Sequence, residues 1–573
     1  MSTSISTLTE QLLDRAEKTP QARAMLQKFR GKWNEITWSD YAQAVAEVAR
    51  GLDSIGIGEG HNVLIVVDNR PAFAYLDLAA QTIGAISIPV APATLYSDVS
   101  ELIARVKPSA IVVQDVGWVE AALRDVGPSC KIIHVDTAGI GAYQDERLAA
   151  YQDIRDLGAK SADAVSFLRS RAKGLRPDSI ATMSVSSGTG GVLNLYSFTT
   201  QQVAESAQVV AKRFPLDNGQ FVLSHAPLAA AAERTLTLFS AILTGAVVAF
   251  PENSTVASAA AIEIEPHLAR IPSAALDEIA FTSLRRLRRN KGLKKFVVRG
   301  LLGAMKSNSA SSNFAHLFGA KFILQQFGLR RCKTVLVSNA AASGLTTRFL
   351  KSLRLPAMDV YTVSCSLVPI MVSQTLGAPY HEVLEGVEVG ISPEGRVQVR
   401  GTLVSASGLR ASGWHETNDN GISENGVVTI LGTKAFGNSV GKTRALEAAV
   451  SSSNYVGRAA IVALSDGTNG IFLQLESEAL SSWALQQGIP FTTLAAVVDD
   501  RRVHELLVGE VSAIAEQLSL LGSIHTVIIG RRPLTVDAGE LTVTGKVRSH
   551  AVESRSNDVR LRVSEFSALP GRH

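Results

Sequence analysis

The sequence predicts an α/β fold: a large N-terminal domain of parallel sheets covered by helices, then antiparallel strands, then a small α+β domain. Three observations carry that expectation. Compact apolar runs alternate with amphipathic helical patterns through the first half. Short strands separated by glycine turns replace them after about residue 387. The 573 residues also exceed what one ordinary core takes, leaving room for a large domain and a small one.

Apolar residues at helical spacing mark helices over Leu8–Ala16 and Tyr41–Leu52. Asn62–Val67 (NVLIVV) is a compact strand behind the turn Gly56-Ile57-Gly58-Glu59-Gly60. A dinucleotide fingerprint needs strand, glycines and helix in that order, and this turn lies between a helix and a strand. It is expected to cap the helix instead. Ala72–Ile83 reads as a helix and Ala85–Val90 as a strand; Ser109–Val113, Lys131–Val135 and Ile180–Val185 continue the alternation. Strands apolar throughout are buried on both faces, as in parallel sheets under helices. Val387–Val399 and Gly426–Leu431 have the look of short antiparallel strands. Gly437-Asn438-Ser439-Val440-Gly441 suits a hinge. The chain then divides into 1–432, a hinge at 433–441, and a small domain at 442–573, with strands such as Ala459–Leu464 and Thr526–Ile529 and helices such as Val503–Leu520.

Hydrophobic residues make up 46% of the chain and charged residues 19%, a folded globular balance. The net charge of +4, from 56 basic and 52 acidic side chains, creates no field that would gather nucleic acid. Cys130, Cys332 and Cys365 lie far apart with no CxxC or Cys/His metal spacing, which fits a reducing, cytoplasmic setting. The opening stretch MSTSISTLTEQLLDRAEK carries Glu10 and Asp14 and lacks the basic start and apolar run of a signal peptide. No run approaches the roughly 20 apolar residues that span a bilayer. Val222–Ala232 and Leu236–Phe250 are too short or interrupted, so a soluble or at most peripheral protein is expected.

Ala181–Thr189 (ATMSVSSGT) runs an apolar strand into Ser186-Ser187-Gly188-Thr189-Gly190-Gly191. Small residues let backbone N–H groups approach an anion, and hydroxyls add donors. The segment resembles the phosphate loop of the adenylate-forming superfamily, written YTSGTTGxPKG. Leu223–Arg234 (LSHAPLAAAAER) is similar to the LSFLPLAHxxER segment of bacterial long-chain fatty acyl-CoA synthetases. In the family's order follow Ser338–Ala342 against SGAAP, Asp359–Ser364 against EVYGxT, Gly395–Gly401 against GExxVRG, Gly413–Asp419 against GWFHTGD, and Leu541–Arg548 against LTxTxKxK. Ile36-Thr37-Trp38 and Gly84–Pro89 extend the likeness toward the N-terminus, so it covers nearly the whole chain.

The resemblance implies a small β-barrel-like sheet beside the parallel ones and a C-terminal domain that rotates between two half-reactions. A carboxylic or fatty acid would attack the α-phosphate of ATP, with Mg²⁺, giving an acyl-adenylate and pyrophosphate. Coenzyme A would then displace AMP. The resemblance also implies roles: Ser186, Ser187, Gly188, Thr189 and Gly190 around the phosphates, with Thr189 catalytic, and Tyr361 and Ser364 beside the nucleotide. Asp419 would accept hydrogen bonds from both ribose hydroxyls, since a carboxylate offers several lone pairs to neighbouring donors. Lys546 would be the catalytic cation bridging the reacting carboxylate and the α-phosphate.

The departures are as specific as the matches. Leu193-Asn194-Leu195 replaces Pro-Lys-Gly, Thr433 replaces an arginine, Phe436 an acid, and Ala230 and Ala232 an aromatic or histidine gate, although Glu233 and Arg234 remain. Cys365 stands where a glutamate would hold Mg²⁺, and a neutral thiol is a poor ligand for so hard a cation. No metal ligand is therefore assigned. With no histidine nearby in sequence, Cys365 reads as a buried apolar residue rather than a nucleophile. Loss of one electrostatic contact of this kind costs on the order of 10²–10³ in rate. Three functions are consistent with the pattern: an acyl-activating ligase with a divergent nucleotide site, acting on a medium-to-long or aromatic acid; a binding or scaffold protein on the same fold; and an adenylating enzyme with an acceptor other than coenzyme A. Ser283–Arg299 (SLRRLRRNKGLKKFVVR) holds basic residues and no acid, which suits either peripheral contact with an anionic membrane or a solvated face.

Overall fold

The computed structural model describes residues 6–161, 163–187, 193–253, 256–273, 275–276, 279–280, 314–338, 344–376, 378–410, 412–424, 426–433, 446–447, 449–451, 453, 455–491, 493–517, 520–535, 538–541 and 547–566. The first helices begin at capping boxes, where a hydroxyl and a carboxylate satisfy amides that the helix leaves unpaired. In Leu8–Lys18 the Glu10 amide donates to Thr7 Oγ1 at 3.2 Å and the Thr7 amide to Glu10 at 2.8 Å. Trp38–Ser54 repeats the arrangement with Thr37 and Asp40. Its far end closes at the glycine turn. The Gly56 amide donates to the Asp53 carbonyl and the Ile57 amide to the Leu52 carbonyl, both at 3.0 Å, with Gly56 at φ +86°. The turn is thus the helix cap that its place in the sequence predicts.

Among the described residues there are three sheets. One has seven strands in the order Leu148–Ala150, Lys131–His134, Ala110–Val113, Asn62–Val66, Ile86–Val90, Ile180–Ser187 and Leu193–Thr199. It is parallel except for the last, antiparallel pair. Val63, Leu64, Ile65 and Val66 are fully buried, as strands covered on both faces must be. Helices Trp38–Ser54 and Tyr151–Ala159 cross very closely: a Cβ on Gly158 would lie 1.8 Å from the Glu47 carbonyl oxygen.

The second sheet has thirteen strands. Its centre is a parallel run of Ala357–Tyr361, Thr334–Ser338, Leu268–Pro272, Phe221–Leu223, Val247–Phe250 and Arg23–Phe29. Antiparallel strands extend both sides. From Ala357–Tyr361 the order continues through Met371–Ser373, Tyr380–Val383, Val427–Thr433, His415–Glu424 and Arg396–Arg400 to Glu388–Ile391. The sheet expected to be barrel-like is therefore open. Its strands pair onward from the parallel run, and Glu388–Ile391 ends the order instead of returning to it.

The third sheet has four strands, Val456–Ala463, Asn469–Leu475, Thr526–Gly530 and Val559–Arg562. Helix Arg501–Gln517 packs Val503, Leu507, Val508 and Val511 into a cluster whose buried members run from Leu446 to Val563.

Candidate functional site

The strand Ile180–Ser187 leads into the Ser/Gly loop and pairs with Leu193–Thr199 on the other side of it. Ser186 lies opposite Asn194 and Ser184 opposite Tyr196. Side chains alternate along a strand, so these four share one face. Gly188, Thr189, Gly190 and the side chain of Ser187 lie outside the described residues. Asn194 is exposed and Tyr196 half-buried. Burial and the nearby Cys365 thiol push the Tyr196 phenol up from its ordinary pKa, while the adjacent Ser186 hydroxyl pulls it down. The strand is fastened from below by a buried network. Arg234 Nη2 donates to Thr182 Oγ1 at 3.0 Å, Arg234 Nη1 lies 3.3 Å from Asp77 Oδ1, and Ser87 donates to the same oxygen at 2.5 Å. Arg234 is 0% exposed. Glu233 pairs with Arg270 and accepts from Thr237 at 2.8 Å. Glu233 and Arg234, kept from the family pattern, thus face the interior, Arg234 as a support for this strand and Glu233 as the partner of Arg270 on strand Leu268–Pro272.

The opposite wall comes from the thirteen-stranded sheet. Tyr361 ends the strand Ala357–Tyr361, and its hydroxyl donates to Asp419 Oδ2 at 2.7 Å, with Thr417 Oγ1 at 3.4 Å. Burial and the Asp419 charge drive the phenol well above its ordinary pKa, which fixes it as a donor. Asp419 lies in a bulge: Glu416 to Asn420 oppose only Gln398 to Arg396. Bulges of this kind re-aim side chains. Across the ladder Asp419 faces Thr433, the residue standing in place of an arginine.

Ser364 is half-buried on the turn after Tyr361, and Cys365 beside it is 4% exposed, its thiol pushed up to about 12 by burial. That settles Cys365 as a protonated interior residue. The Cys365 carbonyl accepts from the Ser405 amide at 2.9 Å, and the Ser405 carbonyl accepts from His415 Nε2 at 2.6 Å. The His415 ring meets Tyr196 edge-on at 5.6 Å. Strand His415–Glu424 thereby ties Tyr196 on one sheet to Tyr361 and Cys365 on the other. The structure brings Ser186, Tyr361, Ser364 and Asp419 to this junction. Sequence reasoning missed Tyr196 and His415. The available signal was period two: Tyr196 follows Asn194 by two residues on a strand and shares its face.

Lys546 lies outside the described residues, but Leu541 and Val547 on either side of it form an antiparallel bridge. Glu540 braces the residues beside that bridge. Its carboxylate accepts from Arg532 at 2.9 Å and from the Thr535 amide at 3.0 Å, and its carbonyl from the Arg548 amide at 2.8 Å. Phe436, the Gly437–Gly441 stretch and segment 283–299 are also outside the described residues. Among the described residues no helix is long and apolar enough to cross a membrane, and no cluster of His, Cys, Asp or Glu is arranged to hold a metal.

Comparison with known proteins agrees with this architecture. Two long-chain-fatty-acid–CoA ligases named FadD15, from Mycobacterium bovis and Mycobacterium tuberculosis, are each 25% identical over 92% of this chain and 91% of their own. Among solved structures, the adenylation domain of a carboxylate reductase from Mycobacterium chelonae is similar with a TM-score of 0.69 at 15% identity, covering 94% of this chain and 88% of that one. The anthranilate CoA ligase AuaEII, solved with anthranoyl-AMP, gives 0.67 at 14% identity over 96% of each chain. A benzoate CoA ligase from Burkholderia xenovorans gives 0.68 at 14% identity over 96% of this chain and 100% of that one. The AMP-binding enzyme family matches residues 12–352. With that match across most of the large sheets, the chain belongs to the AMP-binding enzyme family and has the fold of its adenylate-forming, acyl-activating ligases.

Proposed function

We propose that this chain is an AMP-forming acyl-activating ligase with a divergent nucleotide site, joining a fatty or aromatic carboxylic acid to a thiol through an acyl-adenylate. The observation that carries the reading is the Tyr361–Asp419 contact of 2.7 Å at the sheet junction. It holds a carboxylate whose remaining lone pairs can take two neighbouring hydroxyls, as on a ribose. Ser186, Ser187, Gly188, Thr189 and Gly190 would supply hydroxyl and amide donors to the phosphate. Lys546 would neutralise charge on the reacting oxygens and Thr189 would assist it, with coenzyme A as acceptor. The FadD15 relatives, long-chain-fatty-acid–CoA ligases by name, favour a fatty acid. In the same reading the chain divides into 1–432, a hinge at 433–441 and a small domain at 442–573 that carries Lys546.

A second reading, a protein that binds the adenylate without turnover, is favoured by Cys365, Asn194 and Thr433 in place of charged residues. Incubation with ATP, coenzyme A and a panel of acids separates the two. AMP and pyrophosphate formed by the native chain and lost in Lys546→Ala support the ligase. Equal silence from both supports the binding protein. Peripheral contact of segment 283–299 with membrane belongs to the proposal as well, at about 1 kcal/mol per basic residue near an anionic surface. Absence of co-sedimentation with phosphatidylserine vesicles at low salt would remove it.

A further inference from the structure

Magnesium at a nucleotide site takes hard oxygen ligands, one or two carboxylates together with the substrate phosphates. Among the described residues, the carboxylates near the sheet junction are committed elsewhere. Asp359 is 1% exposed and engaged within the fold. Glu416 pairs with Arg410 at 2.7 Å. Asp419 accepts the Tyr361 phenol at 2.7 Å and, in the reading above, its remaining lone pairs serve the ribose hydroxyls.

What stands beside Ser186 is the Tyr196 phenol, within electrostatic reach of the Cys365 thiol and braced by the His415 ring. Both groups carry their protons at neutral pH, since burial raises the thiol to about 12 and the phenol above its ordinary value. A protonated phenol can donate to a phosphate oxygen, and neither it nor a protonated interior thiol is a good partner for a hard cation. The described residues at this junction do not fit a bound magnesium ion.

We propose that this site takes the adenylate end of its ligand, AMP or an acyl-adenylate, without a divalent cation, Tyr196 standing beside Ser186 and Cys365 next to Ser364 where a metal ligand would be needed. The inference rests on the adenylate reading above and narrows it. The adenosine end is held through Asp419, and the phosphate through neutral donors.

Calorimetric titration of the full chain with AMP and with ATP, each in millimolar Mg²⁺ and again in EDTA, tests it. The expected result is AMP binding that is the same in both buffers, and ATP binding no tighter with Mg²⁺ than without. ATP binding tightened by tenfold or more with Mg²⁺, about 1.4 kcal/mol, would overturn this inference and leave the adenylate reading standing. No binding of either nucleotide would overturn both. The wild-type titrations decide without any variant. Cys365→Glu, if its thermal unfolding remains cooperative, is expected to acquire Mg²⁺-dependent ATP binding. A folded Cys365→Glu chain that binds ATP identically in both buffers would contradict the assignment of this position.

Discussion

The Tyr361 hydroxyl donates to Asp419 Oδ2 at 2.7 Å between two strands that are not neighbours in their sheet, Ala357–Tyr361 and His415–Glu424. The bond spans the gap and aims the carboxylate. Tyr361→Phe keeps the ring packing against Tyr380, 6.0 Å away between centroids, and removes only the donor. Hydrogen bonds to charged groups contribute about 1.5–3 kcal/mol. Tyr361→Phe should therefore weaken AMP binding by roughly tenfold in calorimetry. Unchanged affinity would show that Asp419 is positioned by other contacts.

Arg234 and Asp77 form an ion pair with no access to water, 3.3 Å apart and 0% and 1% exposed at their side chains. Breaking a buried pair leaves an uncompensated charge and costs about 3–5 kcal/mol. Arg234→Met should lower the unfolding free energy measured in urea by that amount, and the Asp77→Asn/Arg234→Met pair should recover part of it. A loss of less than about 1 kcal/mol in the single variant would mean that water reaches Asp77 once the guanidinium is gone.

Glu540 gives a pH-dependent term. Burial works against its ionisation, but Arg532, the Thr535 amide and Arg555 outweigh that and hold its pKa below the ordinary glutamate value. A carboxylate with a lowered folded-state pKa stabilises the fold fully above its unfolded pKa and loses that contribution as pH falls through the folded one. Glu540→Gln should therefore be less stable than the native chain at neutral pH. The difference should shrink in acid unfolding curves below about pH 4. A constant difference across that range would assign the effect to packing.

Much of the parallel architecture was legible because its strands are buried on both faces and read as short apolar runs, Asn62–Val66 and Ala110–Val113 among them. The helix starts were written in Thr7/Glu10 and Thr37/Asp40, and the Gly56 cap in its place between helix and strand. The open continuation of the second sheet was not legible, since strand order beyond a hairpin depends on long-range pairing. Arg234 illustrates the same limit. As a sequence letter it looked like part of a functional segment, and only its neighbours Asp77 and Thr182, far away in the chain, reveal it as a core support. Ser186, Tyr361 and Asp419 were named from the motifs they sit in, and the structure brings them to one junction. The pairing of Tyr196 with His415 joins different sheets and leaves no local pattern.

Titration of AMP into the native chain and into Asp419→Ala shows whether the junction holding Tyr361 and Asp419 is an adenylate site. Asp419 would hold two ribose hydroxyls, so its loss should raise the AMP dissociation constant by at least tenfold, about 1.4 kcal/mol, while the variant's thermal unfolding stays cooperative. AMP affinity equal in the two chains, or no AMP binding by the native one, would show that Asp419 holds no ribose and that the junction is not an adenylate site.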